Sequence, residues 1–388
     1  MRKWLCALAL CSACSTPRPP APTTKPTAAA TAPPAVDTTA KTVAAANAFL
    51  ATLDDAERAK VTLPFAAEQK AKWSNFPVGM VPRNGVRWGD LNTLQRQSAL
   101  QLLATALSKT GLDKVRAIME GDEILKVAES QHPSGPNGPP NDRRFGPQNA
   151  PPNGGKSRQF GPPPGFTGNM MNPHFGRDEY YLAFLGTPSA TSPWMIQFGG
   201  HHLAINMTIV GKRSVMTPSL PAAQPATYKL DGQTIRPLGR ENDAAFALIN
   251  ALNDEQKRKA ILNYQVSDLV LGPGEDGKTI QPEGINASEL NQAQQRMLFD
   301  LAHEWVGIIN DEAAATRMAD IESHLADTWF AWSGPTTNGS AAYFRIQGPT
   351  LLIEYSPQRM RGDNGLDIDH IHTIYRDPTN DYGARLVQ

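Results

Sequence analysis

The sequence predicts an α+β fold made of two pseudo-symmetric repeats, each with helices followed by antiparallel strands. Three pairs of similar segments support this prediction, because each pair keeps its order and spacing along the chain. The pairs are 51–58 with 250–257, 182–186 with 330–334, and 200–206 with 348–354. The first pair is offset by 199 residues and the others by 148, so the first half should carry an insertion of 51 residues. We expect that the two strand portions can share one sheet.

Each half begins with helical periodicity and ends with strand-forming runs. Apolar residues recur at helical spacing in 43–59 and in 243–261, which predicts an amphipathic helix at the start of each repeat. A second helix is predicted at 91–107 in the first half and at 288–309 in the second. Aromatic and β-branched runs separated by Gly and Pro then predict a strand pair in each half.

The N-terminal composition separates a leader and a tether from the body of the chain. Residues 1–14 combine a charged start, a short apolar run and small residues, which is typical of a signal peptide. The end of this leader resembles a lipobox, in which Cys14 would be acylated. An ordinary signal peptide cut near Ala13 is the alternative. Residues 15–41 are rich in Pro, Thr and Ala, and predict a semi-extended tether.

The remaining chain divides into repeat 1 at 42–239 and repeat 2 at 240–388. A Pro/Gly-rich stretch at about 131–177 supplies the insertion and predicts a long flexible loop. Lys plus Arg equal Asp plus Glu at 37 each, so charge favours neither nucleic acid nor an anionic membrane, and membrane contact is expected only through the N-terminal lipid. All three cysteines lie in the leader, which excludes disulfides and thiolate chemistry from the body. These features predict an exported protein of the periplasm or cell envelope.

One loop matches a nucleotide-binding motif, and its context argues against that function. Residues 272–279 fit the Walker A pattern, which needs a helix beginning at its Lys-Thr so that backbone amides face the phosphate. Pro282 and Gly284 would interrupt such a helix within one turn. We therefore predict a turn-rich loop and no nucleotide cofactor. His303 begins a zincin-like sequence, but Gly307 stands where that motif needs its second histidine.

Four of the eight histidines lie in two short β-like segments. His370 and His372 would share one face of a strand about 7 Å apart, which lets two imidazoles bind one ion. His201 and His202 would face opposite ways on a strand, so only one of them should join. We predict metal ligation by His202, His370 and His372, with copper or zinc as the ion. Two nearby carboxylates are further candidate ligands: Glu354 and Asp369.

Other roles for these residues stay open at this stage. The histidines could instead donate structural hydrogen bonds inside a partly polar core. His201 is a candidate substitute ligand or acid/base group. Arg376 is a candidate catalytic residue, because its guanidinium could grip a carboxylate or phosphate, yet it could equally fix the C-terminal tail through an internal ion pair.

Several motifs resemble one protein family. They are residues 199–203 after a Trp-containing strand, residues 370–372 followed by 375–383, and the segments 73–77 and 180–188. The family is known as a domain of unknown function, number 3500, and occurs in bacteria and some eukaryotes, often behind an export signal. The resemblance covers nearly all of the chain after the tether. It implies no activity, because none is attached to the family.

Two hypotheses follow from these features. The first is a metal-dependent enzyme of the cell envelope, which oxidises or hydrolyses its substrate at the histidine-bound ion. The second is a non-catalytic envelope binding protein, whose histidines hold the fold or contact a ligand. In either case the expected partner is a small molecule or an envelope component, and the residues do not identify it.

Overall fold

A computed structural model describes residues 37–131, 174–358 and 367–388. The predicted leader with Cys14, most of the tether and most of the insertion lie outside the described residues. Within the described ranges none of the helices has the length and apolar character to cross a membrane. The α-helices are α1 (Thr38–Ala51), α2 (Asp55–Val61), α3 (Ala67–Lys70), α4 (Thr93–Ala106), α5 (Lys109–Gln131), α6 (Gly239–Ala251), α7 (Asp254–Ala260), α8 (Gln292–Val306) and α9 (Asp311–Ser323).

The strands complete an α+β fold, which confirms the predicted class. The first ten strands in chain order are β1 (Thr62–Leu63), β2 (Val86–Arg87), β3 (Tyr181–Leu185), β4 (Trp194–Gly200), β5 (Leu203–Val210), β6 (Arg213–Val215), β7 (Leu220–Pro221), β8 (Tyr228–Leu230), β9 (Gln233–Ile235) and β10 (Ile285–Asn286). The others are β11 (Trp329–Ser333), β12 (Tyr343–Gln347), β13 (Leu352–Gln358) and β14 (Asp367–Arg376). We predicted two strands in each half, but the structure has more. The antiparallel ladders run through β3–β5 in the first half and through β11–β14 in the second.

The predicted first helix of each repeat is two helices in the structure. Asp54 interrupts the run at 43–59, because its side chain accepts a hydrogen bond from the N–H of Glu57 and so begins α2. Asn253 interrupts the run at 243–261 in the same way through the N–H of Gln256. In both cases the third helical residue bonds back to the cap, which completes a capping box. The spacing of apolar residues continues across each boundary, so it did not reveal that one helix ends and another begins there.

The described residues include the end of the predicted tether and the end of the predicted insertion, and both are structured. Helix α1 begins at Thr38, within the predicted tether, because Asp37 caps it by accepting from the N–H of Ala40 at 2.9 Å. At the insertion, Gly176 donates its N–H to Asp122 of α5 at 2.9 Å, so the chain is already fixed there. Three helices of the described residues were not predicted: α3, α5 and α9.

Two sheets form the centre of the fold. The first runs β1-β3-β4-β5-β6, with β2 also paired to β3 and β7 to β5, and only the β1–β3 pair is parallel. The second is antiparallel throughout, in the order β10-β11-β12-β13-β14. Helices α1 and α6 pack on equivalent strands, since Phe49 lies 6.2 Å from Phe184 of β3 and Phe246 lies 4.9 Å from Trp332 of β11.

A short segment at 219–223 joins the two sheets. Its β7 residues pair with β5, while Ser219 and Ala223 exchange backbone hydrogen bonds of 2.8–3.0 Å with Tyr375 and Ile371 of β14. The strand portions of the two halves are thus separate ladders linked through this segment, rather than one regular sheet. The link places the start of β5 close to β14.

Each half contains a row of three neighbouring polar side chains, and the two rows are related by the predicted offsets. In the first half Asn84 donates to Gln197 at 3.0 Å, and Gln197 donates to Asn206 at 3.0 Å. In the second half Glu283 accepts from Arg345 at 2.9 Å, and Arg345 lies opposite Glu354 in the β12–β13 ladder. The three equivalent positions therefore carry amide side chains in the first half and charged side chains in the second. This match supports the duplication, which remains a prediction.

Candidate metal centre

The register of the joined strands brings His202 and His372 into one row. Leu203 pairs with Pro221, so the next row joins His202 to Ala222, whose N–H donates to the His202 carbonyl at 2.9 Å. The bridges at Ser219 and Ala223 place Ala222 opposite His372. The rings of His202 and His372 lie close together, with their centroids 5.3 Å apart.

The predicted alternation holds on β14 and fails at the other histidine pair. His370 and His372 share one face, and their ring centroids are 4.9 Å apart. His201 and His202, however, form the two-residue turn between β4 and β5, where His202 takes a left-handed φ of 61°. Their rings lie side by side with centroids 3.7 Å apart, so the prediction that they face opposite ways was wrong.

Three ring nitrogens converge at this junction. The Nε2 atoms of His202 and His370 are 3.0 Å apart, and those of His370 and His372 are 3.2 Å apart. One ligand atom from each of these residues lies within 4.8 Å of the other two. A tetrahedral zinc ion with Zn–N distances near 2.0–2.1 Å separates its nitrogen ligands by about 3.3 Å. The two spacings that involve His370 are therefore close to those of a zinc centre, while the ligand atoms of His202 and His372 lie at most 4.8 Å apart.

Hydrogen bonding alone does not account for this convergence. A neutral ring nitrogen carries either one lone pair or one hydrogen, so His370 Nε2 can form a linear hydrogen bond with only one of its two neighbours. The Nδ1 atom of His372 faces the Asp268 carboxylate at 3.3 Å, which favours a proton on Nδ1 and a lone pair on Nε2. A bound cation would accept a lone pair from all three rings.

The surroundings favour the neutral form of His202 and His370. Burial lowers the pKa of His202 well below its usual value, and the neighbouring histidines add to this effect. The pKa of His370 is lowered for the same two reasons. Neutral imidazole is the form that binds a metal, because its second nitrogen lone pair is then available. His202 is buried, whereas His370 and His372 keep part of their surface exposed, so an ion or small molecule can reach the centre.

Two further side chains at the centre were missed by the sequence reasoning. They are Asp268, on the loop before the Walker-like residues, and Asn75, whose Nδ2 lies 3.2 Å from His372 Nε2. Both come from distant parts of the chain, and neither belongs to a local ligand motif. The only available signal for Asn75 was its place in the segment 73–77, which resembled the family.

His201 lies beside the centre without contributing a nitrogen to it. Its Nδ1 contacts the buried carboxylate of Asp122 at 2.6 Å, and its carbonyl accepts from Tyr180 Oη at 2.7 Å. Phe175 covers the ring at a centroid distance of 4.9 Å. This arrangement fixes His201 against His202, so its predicted use as a substitute ligand is not favoured by the geometry.

The other candidate residues lie in different networks. Glu354 is fully buried and accepts from the N–H of Leu271 at 2.9 Å and from Tyr343 Oη at 3.1 Å, and burial raises its pKa. Asp369 accepts from the N–H of Thr227 at 3.1 Å. Neither carboxylate is among the converging ligand atoms, because each is committed to backbone donors.

Arg376 fixes the C-terminal tail and the Walker-like loop. Its guanidinium contacts Asp381 at 2.8 Å and Asp276 at 2.9 Å, and donates to the carbonyls of Leu271 and Gly272. These bonds engage every guanidinium nitrogen, which supports the tail-fixing alternative over a catalytic grip. Residues 272–279 form turns with no helix at their Lys-Thr, as predicted.

The fold and this centre define a class of α+β proteins with three histidines at the junction of two halves. The chain belongs to the family described as "Protein of unknown function (DUF3500)", which it matches over residues 35–384. The family resemblance predicted from the sequence is thereby confirmed. No curated protein and no solved structure matched the chain.

Proposed function

We propose that this protein is a metal-dependent enzyme of the cell envelope, with a copper or zinc ion held by His202, His370 and His372. The convergence of the three Nε2 atoms is the observation that carries the proposal. The ion would act on its substrate by oxidation or by hydrolysis through metal-bound water. The leader-like N-terminus supports export, since its composition is that of a signal peptide.

The number of protein ligands favours catalysis over a structural role. Structural zinc sites are closed by four protein ligands, whereas catalytic sites keep three and leave one position for water or substrate. Here three imidazoles converge, and the carboxylates of Glu354 and Asp369 are bonded elsewhere. The partial exposure of His372 leaves a route by which a small molecule can reach the open position.

Metal content tests the proposal directly. We expect about one copper or zinc ion per chain in protein purified from metal-supplemented cells. The His370→Ala/His372→Ala double variant should contain almost none, because only one imidazole remains. Elemental analysis of both proteins provides the measurement. A His303→Ala/His324→Ala variant, which removes two histidines outside the centre, should keep the parent's content. Absence of metal from the parent would contradict the proposal.

Asp268 is expected to strengthen metal binding through His372. Its carboxylate holds the proton on His372 Nδ1, and such outer partners raise the basicity of a ligating imidazole. The Asp268→Asn variant should bind zinc about 10–100 times more weakly, as measured by competition with a chelating dye. Asp90→Asn, which alters an exposed surface carboxylate, is the matched control. Equal affinity in all three proteins would show that Asp268 has no such role.

A further inference from the structure

The loop at 73–77 carries a polar side chain into the metal centre. Asn75 is 5% exposed, and its Nδ2 lies 3.2 Å from His372 Nε2. Its main-chain carbonyl accepts from the N–H of His202 at 3.1 Å. Asn75 therefore contacts residues from both halves of the candidate centre, one through its backbone and one through its amide.

The position of this loop does not depend on the Asn75 amide. Arg83 donates to the Ser74 carbonyl at 2.9 Å and contacts the carbonyls of Phe76 and Gly200. Burial lowers the pKa of Arg83 to about 10, which still leaves the guanidinium charged at neutral pH. A second bond, from Trp73 Nε1 to Tyr382 Oη at 2.7 Å, holds the start of the loop. A substitution of the Asn75 side chain would leave all of these contacts in place.

Metal binding and the present Asn75 contact compete for one lone pair. Asp268 faces His372 Nδ1, so His372 Nε2 offers a single lone pair. The Asn75 amide donates to that lone pair in this structure, and a bound ion would need the same one. Once an ion is bound, a nearly buried N–H donor loses its acceptor, which is unfavourable unless a new acceptor takes its place. A group attached to the ion can supply this acceptor.

We propose that Asn75 Nδ2 donates a hydrogen bond to an oxygen-donor ligand, such as water, hydroxide or a carboxylate, in the fourth coordination position. This inference rests on the proposed metal centre. A neutral amide suits the task, because it can donate to an anionic oxygen without closing the position as a further charged ligand. Asn75 thus orients the incoming oxygen and makes the centre selective for oxygen-donor ligands.

Acetate binding to the cobalt-substituted protein tests this role. Cobalt(II) occupies zinc sites and reports changes of its ligands in visible absorption, so one titration follows the fourth position directly. Asn75→Leu keeps a similar volume but has no donor. We expect it to bind cobalt with the parent's stoichiometry and to bind acetate about ten times more weakly or worse. The control Asn84→Ala removes a partly buried amide that bonds to Gln197 and should leave both measurements unchanged.

The remaining outcomes show whether the role of Asn75 or the metal centre itself is wrong. A parent that binds no cobalt, copper or zinc contradicts the metal centre itself. Cobalt binding with unchanged acetate affinity in Asn75→Leu contradicts only the role of Asn75. Loss of cobalt from Asn75→Leu would show that Asn75 is needed to hold the ion itself, which also overturns the inference. If the leucine variant does not fold, Asn75→Ala provides the same comparison with less steric demand.

Discussion

Replacing Lys114 with methionine is expected to lower the free energy of unfolding by about 3–5 kcal/mol at neutral pH. Lys114 lies on α5, and its ammonium group contacts the carboxylate of Glu241 on α6. The side chains are 6% and 0% exposed. The ammonium also donates to the Glu304 carbonyl of α8 at 3.3 Å. Because methionine has no charge, it would leave a buried carboxylate without its cation.

The second oxygen of Glu241 makes this loss more severe. Its Oε2 atom is buried without a hydrogen-bond partner among the described residues, so this oxygen offers no second side-chain bond to offset the loss of Lys114. Removing both charges should cost much less than removing one. We expect Lys114→Met/Glu241→Leu to be far closer to the parent in urea unfolding than Lys114→Met alone. Similar losses in the two variants would show that packing, rather than the unpaired charge, dominates.

The deficit of Lys114→Met should depend on pH in a defined direction. Burial already raises the pKa of Glu241 in the folded protein, and loss of Lys114 should raise it further. A carboxyl whose pKa is raised by folding costs stability above its unfolded value of about 4.3, and this cost grows until the folded pKa is passed. The variant's deficit should therefore shrink as the pH falls towards 4.3. Unfolding curves of parent and variant across this range measure it.

Local patterns predicted much of the secondary structure but not its boundaries. The helical stretches at 91–107 and 288–309 correspond to α4 and α8, because their periodicity matches a buried face. The breaks at Asp54 and Asn253 were missed, since a cap is determined by one side chain within an otherwise continuous pattern. Helices α3, α5 and α9 were missed altogether.

Only the part of the candidate site that depends on local strand geometry could be predicted from the sequence. Alternation along a strand placed His370 and His372 on one face without reference to the rest of the chain. The identity of the third histidine was also predicted, but for a reason that does not hold, since His202 reaches the centre through a turn and the 219–223 link. Asn75 and Asp268 approach His372 from 297 and 104 residues away, and no sequence period encodes such contacts.

Two glycines occupy equivalent positions in the predicted repeats. They are required because a strand distant in sequence lies very close to each of them. Gly85 and Gly284 precede β2 and β10, and both have a φ of +95°. A Cβ at Gly85 would lie 2.0 Å from the Leu182 carbonyl oxygen, and one at Gly284 would lie 2.1 Å from that of Phe330. In both places a short strand crosses so close to its neighbour that only glycine fits.

Gly284→Ala is therefore expected to lower the free energy of unfolding by about 2–5 kcal/mol, from backbone strain plus a clash that forces β10 and β11 apart. Gly274→Ala separates these two causes. Gly274 has a φ of +83°, yet a Cβ there would meet no atom within 4 Å, so only the strain of about 1–2 kcal/mol applies. Urea unfolding of both variants gives the difference. If Gly274→Ala were as harmful as Gly284→Ala, the close approach of the Phe330 carbonyl would not be the reason for glycine at this position.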